Sequence, residues 1–198
     1  GAEATGGLAN PNFGGIVGSI GRCDSVTDNT LSNCQNYGKI TLHPSITSTA
    51  GSHHYFGGVA GFASVNVSNC DNYGEMTCTS NAIYTYCAGV VGYTYEGATV
   101  SNSSNRGAIS LTHDLSTTGR PGIYNGEDNF KTFCAGVISY AKGAVTNCHN
   151  YGAVVVNDAT RSLNCGGAVG YATATSPVSY CSNSAAVTCS MNHPKNVL

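Results

Sequence analysis

Apolar residues recur along the chain in five copies of one pattern. Each copy opens with a glycine-rich apolar segment: FGGIVG (13–18), FGGVAG (56–61), CAGVVG (87–92), CAGVIS (134–139) and CGGAVG (165–170). A polar-capped segment then runs into an alternating one: LSNCQNYGKITL (31–42), VSNCDNYGEMTC (67–78), VSNSSNRGAISL (100–111), VTNCHNYGAVVV (145–156) and VSYCSNSAAVTC (178–189). At the end of these segments Ile40 and Leu42, Met76 and Cys78, Ile109 and Leu111, Val154 and Val156, and Val187 and Cys189 lie two residues apart. That is the period of a strand with one buried face. The glycine before this strand (Gly38, Gly74, Gly107, Gly152, but Ala185 in the last copy) predicts a tight bend at positive φ. No segment sustains a helical period. Each copy therefore reads as roughly three short strands joined by sharp corners.

One copy cannot cover its own apolar face. Copies stacked as successive coils can, and each strand then finds backbone partners above and below. The expected fold is all-β: a parallel β-solenoid (β-helix) of about five coils, near 13–42, 56–78, 87–111, 134–156 and 165–189, in one domain over 1–198. Such a rod stands about 24 Å tall at the usual strand spacing. An antiparallel sandwich would not explain why side-chain identities recur column by column. The central glycines Gly15, Gly58, Gly89, Gly136 and Gly167 are spaced by 43, 31, 47 and 31 residues, so the excess over a base coil falls at 19–30, 43–55 and 112–133. Variable insertions between fixed blocks are surface loops on a repeating scaffold. Asn36, Asn72, Asn105, Asn150 and Asn183 form an unbroken column, and Asn33, Asn69, Asn102 and Asn147 a second, interrupted by Tyr180. An amide carries donors and an acceptor, so stacked amides can bond to one another and to corner backbone groups. Asn36 through Asn183 are accordingly expected as a structural corner ladder.

Composition narrows the function. The chain has 8 Lys and Arg, 10 Asp and Glu, and a net charge of −2, too few cations for a phosphate-binding nucleic-acid protein. Its 41% hydrophobic content argues against disorder, and no apolar run is long enough to span a membrane as a helix. The opening GAEATGGLANP shows no signal peptide, which says nothing against export.

Ten cysteines first suggest disulfides. Column positions argue for thiols instead. Cys87, Cys134 and Cys165 stand where Phe13 and Phe56 stand, and Cys78 and Cys189 where Leu42, Leu111 and Val156 stand. They read as small buried hydrophobes. Cys34, Cys70, Cys148 and Cys181 share a column with Ser103, and Cys23 alone falls outside every column. In-register neighbours hold their Cβ atoms about 4.8 Å apart, beyond the usual disulfide range. Most thiols are expected to be free, which outside a cell suits an anoxic setting. No CxxC or HxxxH spacing supports a metal site, and no cofactor is expected.

Segments such as FGGVAG followed by VSNCDNYGEMT resemble the GLUG-motif repeat of bacterial surface and adhesin-like proteins. The resemblance covers all five copies. It implies a β-solenoid and an extracellular or cell-surface location, and it brings no catalytic residues to carry over. The chain departs from the pattern in coil 3, at Ser103 and Arg106, and in coil 5, at Tyr180, Ser184 and Ala185.

Catalysis on such a fold needs titrating groups placed together, and the ten acids are scattered over the columns. The expectation is a non-enzyme. The long insertions are the binding candidates: His53, His54 and Tyr55 in 43–55, and Tyr124, Asn125, Glu127 and Asp128 in 112–133. Tyr37, Tyr73 and Tyr151, with Arg106 between, form a second candidate, because aromatic platforms hold sugars and also shield backbone. The leading expectation is an adhesin-like or stalk module presenting loops to a glycan or to a host or neighbouring-cell protein. One alternative is a filament subunit that self-associates end to end, because solenoid ends without polar caps can stack. A polysaccharide-active enzyme is the remaining alternative.

Overall fold

A computed structural model describes residues 2–6, 11–21, 29–44, 52–114, 130–158, 160 and 162–192. The chain is a parallel β-solenoid of five coils. Each coil carries five short strands where the sequence predicted three, because each of the first two segments bends in its middle. In coil 2 the strands are His53–Gly57, Ala60–Ala63, Asn66–Ser68, Asp71–Asn72 and Met76–Ser80. Every strand pairs in parallel with its counterparts in the adjacent coils, giving five sheets. The bends do not interrupt bonding between coils: Gly58 N–H donates to the Ala88 carbonyl at 3.0 Å and Val59 N–H to the Val90 carbonyl at 3.0 Å. One sheet has a sixth strand, Ala2–Gly6, paired with Ile40–Pro44 at the N-terminal end.

The columns read from the sequence are the observed register. Phe13, Phe56, Cys87, Cys134 and Cys165 are successive partners, as are Leu42, Cys78, Leu111, Val156 and Cys189. The interior is divided in two. One apolar compartment lies between the His53–Gly57 and Met76–Ser80 sheets and contains Phe56, Met76, Cys87 and Leu111; the other holds Val59, Val67, Cys70, Val90 and Ile138. Burying each of the larger side chains contributes about 1.5–3 kcal/mol.

The Asn column and the central glycines form the waist between the compartments. Asn36 donates to Asn72 Oδ1, Asn72 to Asn105 and Asn105 to Asn150, each at 2.8 Å, and Asn150 donates to Asn183 at 2.7 Å. The other amide hydrogen of each goes to the carbonyl two residues on, at 2.7–3.0 Å. The glycine opposite leaves room for this ladder. A Cβ on Gly89 would sit 2.2 Å from the Asn105 amide carbon and 2.3 Å from the Gly136 carbonyl oxygen. The GG and N signatures of the repeat are thus two sides of one contact.

The expected positive φ lies elsewhere. It falls on Asn33, Asn69, Asn102, Asn147 and Tyr180, at 49–55°, and not on Gly38, Gly74, Gly107 or Gly152. Asn tolerates the left-handed region better than other non-glycine residues. The pre-strand glycine is needed for space: a Cβ on Gly107 would lie 1.9 Å from the Gly74 carbonyl oxygen.

All nine cysteines among the described residues are free thiols, and Cys23 lies outside those residues. The corner cysteines are more than fillers. Cys70 and Cys148 each donate S–H to the carbonyl two residues back, at 3.3 and 3.4 Å, as Ser103 donates O–H to Ser101 at 2.8 Å. Cys and Ser share the column because both close the left-handed corner. Burial pushes the Cys70 thiol up to about 11 and that of Cys148 to about 12.

Candidate functional site

Coil 3 breaks the outward columns on one corner and opens a groove of about 220 Å³ lined by Asp71, Asn102, Ser103, Ser104, Arg106, Asn147, His149 and Tyr151. Ser104 sets its depth, because it stands in register between the longer Asp71 and His149. The walls are fixed by bonds from coil to coil. Ser104 donates both N–H, at 3.0 Å, and O–H, at 2.6 Å, to Asp71 Oδ1. Asn147 donates to Asn102 Oδ1 at 2.8 Å, and its own side-chain Oδ1 faces His149 Nε2 at 2.9 Å. His149 Nδ1 is 2.8 Å from Ser182 Oγ. An amide oxygen only accepts, so Nε2 carries a proton. Asp71 Oδ2 and the Arg106 guanidinium make no hydrogen bond with a described residue.

The Tyr column forms one wall. Tyr37 and Tyr73 stack at 4.7 Å and 10°. The Arg106 guanidinium carbon lies 5.8 Å from the Tyr73 centroid and 4.5 Å from that of Tyr151. Tyr151 is 45% exposed, and Ser184 rather than a ring occupies the next coil at its position. A planar cationic and aromatic surface thus stands beside a carboxylate and two amides. The groove is smaller than the roughly 300–1,000 Å³ pockets of drug-sized ligands, so it has room for one small cyclic unit.

The insertion residues lie differently. His53, His54 and Tyr55 do not sit in a loop: they begin the strand His53–Gly57, in register with Tyr84, Thr85 and Tyr86. His54 is wholly buried, with Nδ1 2.7 Å from Ser80 Oγ, and is closed to an outside ligand. Burial, with smaller contributions from His113 and His53, pulls its pKa down to about 3. His53 stacks on Tyr84 at 4.7 Å. Tyr124, Asn125, Glu127 and Asp128 lie outside the described residues.

Tyr55 belongs to an aromatic block that the sequence blocks, ending one residue too early, missed. Phe62, Tyr93, Tyr140 and Tyr171 follow the FGGVAG-type segments at a constant offset and stack at 5.5, 5.2 and 4.8 Å. Tyr55, Tyr86 and Phe133 stack beside them at 5.0 and 5.1 Å. The two columns meet edge to face, as between Tyr86 and Tyr140 at 84°. Burial raises the Tyr86 hydroxyl well above its ordinary range. Within this block most ring faces cover one another, so it works as a rib along the rod. Tyr151 offers the freer ring face.

A second depression, of about 210 Å³, is bordered by Thr112, His113, Asp114, Asn157, Asp158 and Asn192. Its titratable pair is used internally. His113 Nε2 donates to the Ala82 carbonyl at 2.8 Å, and Asp158 accepts from Thr160 N–H at 2.9 Å and from its O–H at 2.6 Å. No three His, Cys, Asp or Glu side chains among the described residues are placed to share a metal ion. No helix among the described residues is long and apolar enough to cross a membrane.

No protein-family model matches the chain, and neither curated proteins nor solved structures give a match.

Proposed function

We propose that this chain is a non-enzymatic repeat module of a secreted or cell-surface protein, adhesin-like or stalk-like, and that its coil 3 corner groove holds a glycan. One observation carries the reading: Asp71 and the stacked Arg106–Tyr151 pair line the same small groove, and neither Asp71 Oδ2 nor the Arg106 guanidinium has a hydrogen-bond partner among the described residues. A sugar ring presents a C–H face to a planar surface and vicinal hydroxyls to a carboxylate or amide, and the groove offers both. Only one lining group is a carboxylate, whereas glycoside hydrolysis uses a pair; this supports binding without turnover. The resemblance to the GLUG-motif repeat supports the extracellular or cell-surface setting.

A glycan array, followed by calorimetric titration of the best glycan, tests the reading. Arg106→Ala, Tyr151→Ala and Asp71→Asn are each expected to weaken binding at least about tenfold, some 1.4 kcal/mol, with thermal unfolding little changed. The glycan is recovered intact. Binding unchanged in all three variants, or no glycan bound at all, overturns the proposal.

A further inference from the structure

The two ends of the rod are complementary in kind. The amide ladder has a direction: every Asn donates toward the C-terminal coil. Asn183 ends it with one amide hydrogen on the Ala185 carbonyl and the other without a described partner. Asn36 begins it with an oxygen that, among the described residues, accepts only from Gly38 N–H, at 3.1 Å. One end is a donor and the other an acceptor. Side chains match as well. Residues 162–192 contain no charged residue, and the described part of coil 1 contains only Lys39. Exposed sheet edges are normally blunted by charge; among the described residues of coils 1 and 5 only Lys39 supplies any, and Glu3 lies on the added strand Ala2–Gly6. Val178, Val187 and Met191 are 46%, 39% and 52% exposed at columns that are sealed in coils 2 to 4, and Ile16 is 47% exposed at the other end.

One feature obstructs direct stacking. Ala2–Gly6 fills, on its sheet alone, the level that a preceding coil would occupy. Its Ala2 and Ala4 pair with Ile40 and Leu42, the partners that Val187 and Cys189 would take if the terminal coil continued into coil 1. Ala2–Gly6 therefore brings alanine to columns that hold larger residues in every coil.

We infer that the C-terminal coil of one copy docks on the N-terminal coil of a second, with Val187–Met191 of the first displacing Ala2–Gly6 of the second. The displaced strand is a self-complementing plug. All five sheets and the amide ladder then run on across the junction. The contact is heterologous and does not close on itself, so it builds chains of copies. This deepens the end-to-end alternative and is independent of the groove.

The test uses two one-ended variants of the full chain under reductant, Ile16→Glu and Val187→Asp, both at positions that are exposed in the single copy. Light scattering should find wild type polymeric with concentration and each variant alone at 20.2 kDa. An equimolar mixture should give dimers of twice that mass and nothing longer, because each pair keeps one intact junction. In the assembled wild type, hydrogen exchange should rise at residues 2–6 and fall at 187–191. Monomeric wild type, a mixture that stays monomeric, or variants that polymerise alone overturn the inference. Assembly with residues 2–6 still protected overturns strand displacement.

Discussion

Replacing Asn105 by Ala tests whether the waist ladder holds the two compartments together. Asn105 is completely buried. It accepts from Asn72 at 2.8 Å and donates to Gly107 and Asn150, each at 2.8 Å. Truncation leaves an Asn72 N–H and the Gly107 carbonyl without these partners in the interior, and leaves Asn150 Oδ1 with only the 3.3 Å bond from Gly152 N–H. Two buried groups orphaned at about 1–3 kcal/mol each give about 2–6 kcal/mol of destabilisation. Asn183→Ala is the control. It removes the same side chain where the ladder ends and Asn183 is exposed, so water replaces the lost partners and the loss should stay near 1 kcal/mol or below. Urea unfolding followed by circular dichroism measures both, provided the slopes with denaturant agree. If Asn105→Ala and Asn183→Ala fall together under about 1 kcal/mol, the ladder is a consequence of the fold and the coils are held by apolar burial alone.

Three further outcomes are expected. His54 is neutral when folded, with a pKa near 3, whereas the unfolded chain takes up a proton near 6.5; stability is full above pH 6.5 and falls as pH drops toward 3, by about 3 kcal/mol at pH 4.5 from this group. His54→Leu should flatten that slope in urea melts across this pH range, and an unchanged slope refutes the assignment. Gly107→Ala places a Cβ 1.9 Å from the Gly74 carbonyl oxygen, whereas at Gly38 the nearest atom is 3.5 Å away; calorimetry should show a large drop in Tm for the first and little for the second, and equal Tm values would remove the close-approach argument. Alkylation in denaturant without reductant should modify all nine described cysteines, and in the monomeric Ile16→Glu variant native alkylation should begin at exposed Cys189; intact and peptide mass spectrometry read both, and closed disulfides would contradict the thiol interior.

The parallel register was legible because stacking puts like on like. Once Ile40, Met76, Ile109, Val154 and Val187 align, each strand's partner follows. The bends were not legible at the same level. Gly and Asn both mark corners, but one serves close approach and the other a left-handed φ, and a single sequence does not separate the two reasons. Hence Asn69 carries the positive φ expected at Gly74. His54 was misplaced for a related cause. His, Ser and Thr at 54, 80 and 85 look like loop polarity until pairing brings His54 within 2.7 Å of Ser80, and Ser80 within 2.6 Å of Thr85, in the interior. At the candidate groove, Tyr73, Arg106 and Tyr151 were visible as a column, but Asp71, Asn102 and Asn147 come from three coils. Only the fold shows that they surround the small Ser104.

The two irregular coils depart from the pattern in physically different ways. In coil 3 the changes keep the inner chemistry. Ser103 makes the same corner bond as Cys70 and Cys148, and Asn105 continues the ladder. Only the outward residues Ser104 and Arg106 change what the surface presents. In coil 5 the changes fall on the corner itself. Tyr180 takes φ 54° where the other coils use Asn, a conformation that disfavours most side chains by about 1 kcal/mol or more. Ala185 replaces a glycine that elsewhere leaves room for a carbonyl of the preceding coil. A solenoid transmits each inner column through every coil, so an inner substitution in the middle would disturb both neighbours. Coil 5 has one neighbour among the described residues, coil 4. Side-chain variation that keeps the corner bonds in coil 3, and variation at the backbone corner in coil 5, are therefore what the architecture permits. That division supports reading coil 3 as the binding surface and coil 5 as a junction.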